Sequence, residues 1–363
     1  MKEIIFIFKQ GRKDRLENEP NGPKEFFYTF HKFEANFKNV GMIENKLNEK
    51  KLSGLLFKLV RKVTNLPIYT ENFLKTIHLK TIFKANGLIA TNQNLSFSIL
   101  PILIIKRLFK NNLLYTFAMG LVENQSKKQL GRYCFSLFLK ISEKIFFISR
   151  NEYEEAKKLL PQFNDKFVYI PFSIDTNFWT PTNTSDKKNL LFIGNDVNRD
   201  YDFIKELAKE MKDFDFIFIT QRIKNLNLPN VQLIQGNWND NLISDLEIKK
   251  FYESSYLTLI PLRQTYQPSG QSVALQSISM NTPVLITKTK GFWDSTSFID
   301  SENILFLENN SVIDWKDKII KVSTDKNFYN ILQNNGKELI NQEFNIEKMY
   351  SYVLKELDQL NLE

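Results

Sequence analysis

The segment from Tyr266 to Thr287 reads YQPSGQSVALQSISMNTPVLIT, and it indicates how the rest of the chain is organised. The turn-forming residues 268–270 precede an apolar pattern with helical spacing, and a new β-type run begins at Pro283. The first amides of a helix lack intrahelical partners and carry partial positive charge, so the backbone at Gln271 and Ser272 is placed to hold a phosphate. The alternative is an ordinary turn between a loop and a helix.

Short apolar runs alternate with longer helical patterns along the whole chain, which is typical of parallel α/β domains. Several runs are apolar on both faces, as strands covered by helices on each side must be. The predicted strands are Ile4–Phe8, Gly87–Thr91, Leu114–Ala118, Lys144–Ser149, Phe167–Pro171, Asn189–Ile193, Phe214–Thr220, Val231–Gln235, Tyr256–Pro261, Pro283–Thr287 and Ile304–Leu307. We therefore expect an α/β protein with two tandem Rossmann-like, doubly wound parallel sheets that face each other across a cleft.

A chain of 363 residues is too long for one hydrophobic core, because cores stop growing at roughly 300 residues. The polar, proline-containing segment Ile170–Asp186 has the composition of a linker. The sequence therefore predicts an N-terminal domain over 1–172, a C-terminal domain over 173–345 and a closing helix over 346–363.

The composition argues against several classes of protein. One cysteine, Cys134, and two histidines leave little for a metal cage, and a single cysteine fits a reducing compartment. The run Met1–Phe8 lacks the pattern of a secretory signal, and the longest apolar run, Ile99–Ile105, is far shorter than the roughly 20 residues that span a bilayer. We expect a cytoplasmic protein that does not cross a membrane by itself.

The net charge of +8 is unevenly distributed. Residues 1–172 hold about 29 Lys and Arg against about 15 Asp and Glu, whereas the remainder hold about 20 against 26. This asymmetry predicts an anionic partner for the first half, such as a membrane surface, a nucleic acid or a phosphorylated substrate. No aromatic–basic RNA motif or helix-turn-helix pattern is present, so we expect no nucleic-acid partner. The alternative is a lysine-rich composition that covers solvated faces.

A basic amphipathic pattern lies at Lys50–Val63, which reads KKLSGLLFKLVRKV. Its apolar residues form one helical stripe and its lysines and arginine lie elsewhere, which suits an anionic membrane interface. The run Ile99–Lys110 offers a second contact. The alternative is that the stripe faces the protein's own core. The stripe consists of Leu52, Leu55, Leu56, Leu59 and Val63.

A second loop with binding chemistry is GNDVNRDY, Gly194–Tyr201, directly after the first predicted strand of the second half. Ligands of open α/β sheets collect outside the carboxyl ends of strands, and Arg199 lies just beyond such an end. A guanidinium binds phosphate oxygens through two parallel hydrogen bonds, so Arg199 is a candidate diphosphate ligand. A solvent-exposed charge is the alternative.

Four segments in order resemble GT-B glycosyltransferases of the family 4 type. The string IPFSIDTNFWTP, Ile170–Pro181, resembles the linker of that family, and GNDVNRDYDFI resembles its loop of basic donor ligands. LQSISMNTPVLIT resembles its passage from helix to strand, and GFWDSTSFIDSENILFLE, Gly291–Glu308, resembles its closing turn and last strand. The resemblance extends weakly over nearly the whole chain.

The resemblance implies specific roles for residues of this chain. Arg199 takes the place of a lysine that contacts the donor phosphates, and Gln276 that of a glutamate that accepts hydrogen bonds from ribose hydroxyls; these are the predicted catalytic residues. Two residues depart from the pattern, because the first glutamate of the family falls on Pro268 and an arginine is replaced by Asn195. The full set of predicted donor-binding residues is Gly22, Gly194, Asn195, Gly236, Asn237, Trp238, Ser269, Gly270, Gln271, Ser272 and Gln276.

The resemblance implies a glycosyltransferase that uses a nucleotide sugar and acts with retention of the anomeric configuration, without a metal or other cofactor. The expected acceptor is a glycan or a lipid-linked hydroxyl, in surface polysaccharide or glycoconjugate assembly at the inner face of the cell membrane. Two alternatives stay open: a nucleotide-sugar epimerase of the same fold, and a non-catalytic module that binds a nucleotide without turnover.

Overall fold

The computed structural model describes residues 3–45, 51–109, 113–123, 126–182, 187–236 and 243–360. The strands in these ranges form two six-stranded parallel sheets. The chain divides into two units: Met1–Pro171 with Met349–Glu363, and Phe172–Lys348. The polar segment from residue 170 therefore contains the division between units, which falls one residue before the boundary predicted from sequence. The residues from Met349 onward belong to unit 1.

Unit 1 consists of a six-stranded sheet with helices between its strands. Its strands are β1 Ile4–Lys9, β2 Val40–Asn45, β3 Gly87–Ala90, β4 Leu113–Ala118, β5 Ser142–Phe147 and β6 Phe167–Tyr169, in the spatial order β2-β1-β3-β4-β5-β6. Its helices are α1 Arg12–Asn18, α2 Phe30–Asn36, α3 Lys51–Thr64, α4 Thr76–Lys84, α5 Gln93–Arg107, α6 Gln129–Ile141 and α7 Arg150–Leu159. The strands β3 and β4 are almost wholly buried, in agreement with runs that are apolar on both faces.

Unit 2 contains the second six-stranded sheet. Its strands are β7 Asn189–Ile193, β8 Phe216–Ile219, β9 Val231–Ile234, β10 Ser255–Ile260, β11 Val284–Thr287 and β12 Leu305–Leu307, in the spatial order β12-β11-β10-β7-β8-β9. Its helices are α8 Tyr201–Glu210, α9 Asp245–Ser254, α10 Gln271–Ser279, α11 Val312–Thr324 and α12 Lys326–Glu343, and a last helix, α13 Ile346–Glu356, runs from unit 2 into unit 1. These two doubly wound sheets confirm the fold class predicted from the sequence.

Helix α10 lies in the interior of unit 2, with every residue buried except Ser272. Its polar side chains make buried hydrogen bonds: the Ser277 hydroxyl donates to the Thr282 carbonyl at 2.8 Å, and the Ser279 hydroxyl donates to the Trp179 carbonyl at 2.6 Å. Because buried polar groups are costly without partners, these bonds fix the position of the helix in the core.

One strand of unit 1 was not predicted. Strand β2, VGMIEN, lies at the edge of the sheet, pairs with β1 alone among the described strands, and has mostly partly exposed residues. Its sequence therefore lacks the continuous apolar run that identified the other strands.

Among the described residues, the structure contains no helix with the length and apolar character that a membrane span requires.

Candidate functional site

The strand order of unit 2 creates a crevice between β7 and β10. These two strands are neighbours, and the chain continues to β8 and β9 on one side and to β11 and β12 on the other. The loops that leave the carboxyl ends of β7 and β10 therefore diverge, which is the place where open α/β sheets bind ligands. The GNDVNRDY loop and the loop that precedes α10 both start at this crevice.

Arg199 is the central residue of this crevice. Its backbone pairs with Leu262 in an isolated bridge, so it joins the loop after β7 to the loop after β10. Only 2% of Arg199 is exposed to solvent, which makes it one of the largest fully buried side chains in the described part of the chain. The expectation of a surface charge therefore does not apply to this arginine.

Two glycines make room for the guanidinium. A Cβ atom on Gly194 would lie 2.5 Å from Arg199 Nε, and one on Gly270 would lie 2.8 Å from Arg199 Nη1. Both glycines also have positive φ angles, +153° and +81°, which residues with a side chain rarely adopt. The close approach and the backbone conformation thus require glycine at both positions.

The guanidinium has hydrogen-bonding capacity that the described residues do not use. Arg199 Nε and Nη1 are buried and make no hydrogen bond within the described ranges. Asp196 Oδ2 lies 3.3 Å from Nε, close enough for an ion pair but without the alignment of a hydrogen bond. A buried cation with unused donors is costly, so the arrangement suits an anion that accepts from it.

The amino terminus of α10 lies beside these donors. Gly270 is the N-cap in a left-handed conformation, and because it is glycine it offers no side chain to cap the helix. The amides of the first turn lack intrahelical acceptors and carry partial positive charge. The guanidinium and the helix terminus therefore present positive charge at the same place, and such an arrangement suits a phosphate group.

Asn198 ties the two loops together, and sequence reasoning missed it. Its Nδ2 donates to Ser269 Oγ at 2.7 Å and to Gln267 Oε1 at 3.0 Å, and its carbonyl accepts from the Arg263 amide at 2.8 Å. The signal was an amide side chain one residue before Arg199 in a loop at a strand end, because an amide can bridge two partners.

Tyr201 holds the loop after β7 from the other side. Its hydroxyl donates to the Asp196 carbonyl at 2.7 Å. Burial raises the pKa of Tyr201 to about 12, and the nearby Asp196 carboxylate adds to this effect. The hydroxyl therefore stays protonated near neutral pH and acts as a donor.

Asn195 makes its hydrogen bonds within the scaffold. Its Oδ1 accepts from the Gln221 amide at 2.6 Å and from the Thr220 hydroxyl at 3.0 Å, and its Nδ2 donates to the Gly236 carbonyl at 2.8 Å. Asn195 thus connects the carboxyl ends of β7, β8 and β9. A Cβ on Gly236 would lie 2.6 Å from Ile219, so this position also requires glycine.

The other predicted site residues have different surroundings. Gln276 is fully buried, and its Oε1 accepts from the Tyr252 hydroxyl at 3.2 Å. Gly22 lies in unit 1, where its amide donates to the Glu19 carbonyl at 2.9 Å. Ser269, Gln271 and Ser272 all lie at the start of α10, so the structure brings them together with Gly194, Arg199 and Gly270. Asn237 and Trp238 lie outside the described residues.

A second contact supports the loop that precedes α10. The Gly291 amide donates to the Thr265 carbonyl at 2.8 Å, and Gly291 lies so close to the Tyr266 backbone that a side chain would clash there.

The described residues contain no group of three or more His, Cys, Asp and Glu side chains that could hold a metal ion.

Comparison with solved structures identifies the architecture. The chain is similar to sucrose-phosphate synthase from Thermosynechococcus elongatus, with a TM-score of 0.71, 14% identity and 99% of each chain covered. Anabaena HepE in complex with UDP-glucose gives a TM-score of 0.69 at 12% identity, with 99% of this chain and 100% of that chain covered. A glycosyltransferase from Rickettsia africae gives 0.66 at 12% identity, with 99% and 98% covered.

No family model matches the sequence, and no curated protein matches it. The structural agreement nevertheless extends over both units, because practically the full length of each chain is covered. The chain has the GT-B glycosyltransferase fold.

Proposed function

We propose that this chain is a glycosyltransferase that moves a sugar from a nucleotide diphosphate to the hydroxyl group of an acceptor. The observation that carries the proposal is the buried Arg199 guanidinium, which lies between Gly194 and Gly270 beside the first turn of α10. Structures of Anabaena HepE were solved with UDP and with UDP-glucose, which supports a nucleotide sugar as the donor here.

The site has the charge that this reaction needs. Sugar transfer breaks the bond between the anomeric carbon and a diphosphate oxygen, so negative charge grows on the leaving phosphate. In the proposed reaction the acceptor oxygen bonds to the anomeric carbon, and its proton passes to the departing phosphate. Arg199 and the first amides of α10 stabilise the leaving group, and their orientation is fixed before the donor binds.

The finer features of the reaction are part of the same proposal. Its support for retention of configuration is the resemblance of the four segments between Ile170 and Glu308 to family 4 glycosyltransferases. Its support for metal independence is that Arg199 and α10 already offer positive charge to the diphosphate, and activity that persists in EDTA would test this. We propose a glycan or lipid-linked acceptor in surface polysaccharide or glycoconjugate assembly. A role for Gln276 at the ribose stays a prediction.

Ligand-induced stabilisation tests the donor site. We expect at least one of UDP, GDP, ADP and their sugars to raise the melting temperature of the wild type. Arg199→Met keeps the apolar stem and removes the charge, so we expect the affinity for that ligand to fall at least about 30-fold, or about 2 kcal/mol. The matched control is Arg263→Met. Arg263 follows β10, the strand that pairs with β7, but its side chain is more than half exposed.

A second variant covers the case in which Arg199→Met fails to fold. Gly270→Ala adds a methyl group where Arg199 Nη1 already lies and imposes a positive φ on alanine, so we expect the same loss of affinity. The donor site is wrong if none of the nucleotides stabilises the wild type. Binding without transfer or hydrolysis of any nucleotide sugar would instead indicate the non-catalytic module.

A further inference from the structure

Helix α3 has two apolar faces, and only one of them packs on the protein. Phe57 and Val60 pack against the core of unit 1, and Thr64 at the end of this face is buried. The other face carries Leu55, Leu56, Leu59 and Val63, which are 67%, 59%, 58% and 41% exposed. We call these four residues the leucine stripe. Residues at this spacing share one side of a helix, so the stripe is continuous.

Such a stripe is unusual on a folded surface. Single exposed apolar residues are common, but a contiguous apolar row on one helix marks a contact with another apolar phase. Its predicted membership included Leu52, whose side chain lies outside the described part. The sequence left open whether this stripe faces the core or a membrane, and the structure leaves its four described residues exposed.

A neighbouring helix extends the apolar surface. The start of α6 packs on the end of α3, because Gly131 lies so close to the Thr64 carbonyl that a side chain would clash. Lys128 Nζ also donates to the Lys62 carbonyl at this junction. On α6 the side chains of Leu130 and Tyr133 are exposed.

The predicted second contact is only partly exposed. In α5, Ile99, Leu100 and Leu103 are buried in the core. Leu108 and Phe109, just after the end of this helix, are each 78% exposed. The candidate docking surface therefore consists of the leucine stripe on α3 and the start of α6.

The charge around the leucine stripe is mainly positive, with one exposed carboxylate, Glu123, in the segment before α6. Between residues 51 and 140 the only acidic residues are Glu71 and Glu123. Glu71 is buried, and its carboxylate accepts from Arg61 at 2.6 Å, so it adds little negative charge to the surface. Among the described side chains, the exposed basic residues of the two helices are Lys58 and Lys62 on α3 and Arg132 and Lys140 on α6, with Lys127 and Lys128 just before α6.

We propose that the leucine stripe inserts into the interface of an anionic lipid bilayer, with the flanking lysines at the level of the headgroups. Apolar area and attraction to anionic lipid add together in this mode of binding. A second copy of the chain is the less suitable partner, because self-association through this face would bring two basic surfaces together. The proposal is independent of the donor site, which lies in unit 2.

Vesicle flotation at low salt tests the proposal. We expect the wild type to float with phosphatidylcholine vesicles that contain about a third phosphatidylglycerol, and to stay behind with pure phosphatidylcholine or at about 0.5 M salt. Leu55→Ser with Leu59→Ser should lower the bound fraction at least tenfold, and Lys58→Glu with Lys62→Glu should do the same. The control, Ile313→Ser with Ile320→Ser, changes two exposed isoleucines on α11 of unit 2 and should float like the wild type.

Any one of three outcomes would overturn the membrane proposal. The first is a wild type that fails to float at low salt, and the second is a Leu55→Ser, Leu59→Ser variant that floats as well as the wild type. The third is a wild-type dimer in sedimentation that the leucine changes dissociate, which would identify a second copy as the partner. Nucleotide affinity of the leucine variant should equal that of the wild type, so a failure of this proposal is distinguishable from a failure of the donor site.

Discussion

Arg199 is expensive to bury, and its surroundings show how the cost is reduced. Asp196 provides a nearby opposite charge, while Gly194 and Gly270 allow the backbone to approach the guanidinium closely. A buried charge without full hydrogen bonding destabilises the folded state. A diphosphate that accepts hydrogen bonds from Nε and Nη1 would remove this cost, so the proposed binding should stabilise the folded state.

A buried carboxyl group in unit 1 gives a prediction for pH dependence. Glu152 accepts from the amides of Gly120 and Val122 at 2.8 and 3.1 Å. Burial raises its pKa from 4.5 to about 7, and these backbone hydrogen bonds oppose the shift only in part. The folded state therefore holds more protons than the unfolded state between about pH 4.5 and 7, so the free energy of unfolding should fall as pH rises through this window and level off above it.

Glu152→Gln removes the titrating group, so the contribution of this residue to the pH dependence should disappear. Urea unfolding of unit 1 at several pH values between 5 and 8 measures how the free energy of unfolding changes with pH. This pH dependence can be compared between wild type and variant even if their stabilities at a single pH differ. The matched control is Glu154→Gln on the same helix, because the Glu154 side chain is half exposed. Parallel pH profiles for wild type and Glu152→Gln would contradict the assignment.

At the scale of elements, the proposed donor site consists of two loops that hydrogen bonds connect. The loop after β7 and the loop before α10 are joined by Asn198, by the bridge between Arg199 and Leu262, and by the Asp200 amide, which donates to the Pro261 carbonyl at 3.0 Å. These contacts connect the backbone that carries Arg199 to the loop that leads into α10.

Asn198→Ala should weaken nucleotide binding more than it weakens folding. It removes the hydrogen bonds to Gln267 and Ser269, so the start of α10 should be less well ordered. We expect nucleotide affinity to fall about tenfold and the free energy of unfolding to fall by about 1 kcal/mol. Titration with the nucleotide found in the thermal screen measures the first effect, and urea unfolding the second.

The control for this variant is Ser244→Ala. Ser244 forms a capping box with Glu247 at the start of α9, and its loss should also cost about 1 kcal/mol. Its nucleotide affinity should remain that of the wild type. If both variants bind nucleotide equally well, the link between the loops does not position the site.

At the scale of the whole molecule, the chain returns to unit 1 after completing unit 2. Tyr350 contacts Phe33 with ring centroids 5.0 Å apart, and Leu360 packs against Gly87 at the start of β3. The end of the chain thus contributes to the core of the unit in which the chain begins, although it is distant from that unit in sequence.

Tyr350→Ala should destabilise unit 1 and leave unit 2 unchanged. The loss of the aromatic contact predicts a cost of about 2 kcal/mol, seen as earlier proteolytic cleavage within unit 1. Tyr352→Ala, two residues along the same helix and more exposed, is the control and should cost less. Nucleotide affinity reports on unit 2, and its loss in Tyr350→Ala would contradict the division of the chain.

Local patterns in the sequence determined much of this protein. Strand β7 has the predicted bounds, and the turn before Gln271 lies where the helix begins, because buried parallel strands and turns have compositions that short segments record. The resemblance in four segments led to the GT-B fold, which the structural comparison confirms. Strand β2 was missed because an edge strand needs no continuous apolar run.

Tertiary structure alone decided which residues meet and which face solvent. Nothing in the local pattern shows that Arg199 lies between Gly194 and Gly270, because the pairing of β7 with β10 brings these distant segments together. The spacing of α3 likewise predicted one apolar stripe and left open whether it faces the core or a membrane. Only packing on unit 1 shows that Phe57 and Val60, which lie outside that stripe, are the residues that contact the core. Periodicity is a local property of the chain, whereas burial and contact depend on segments that the fold brings together from far apart in sequence.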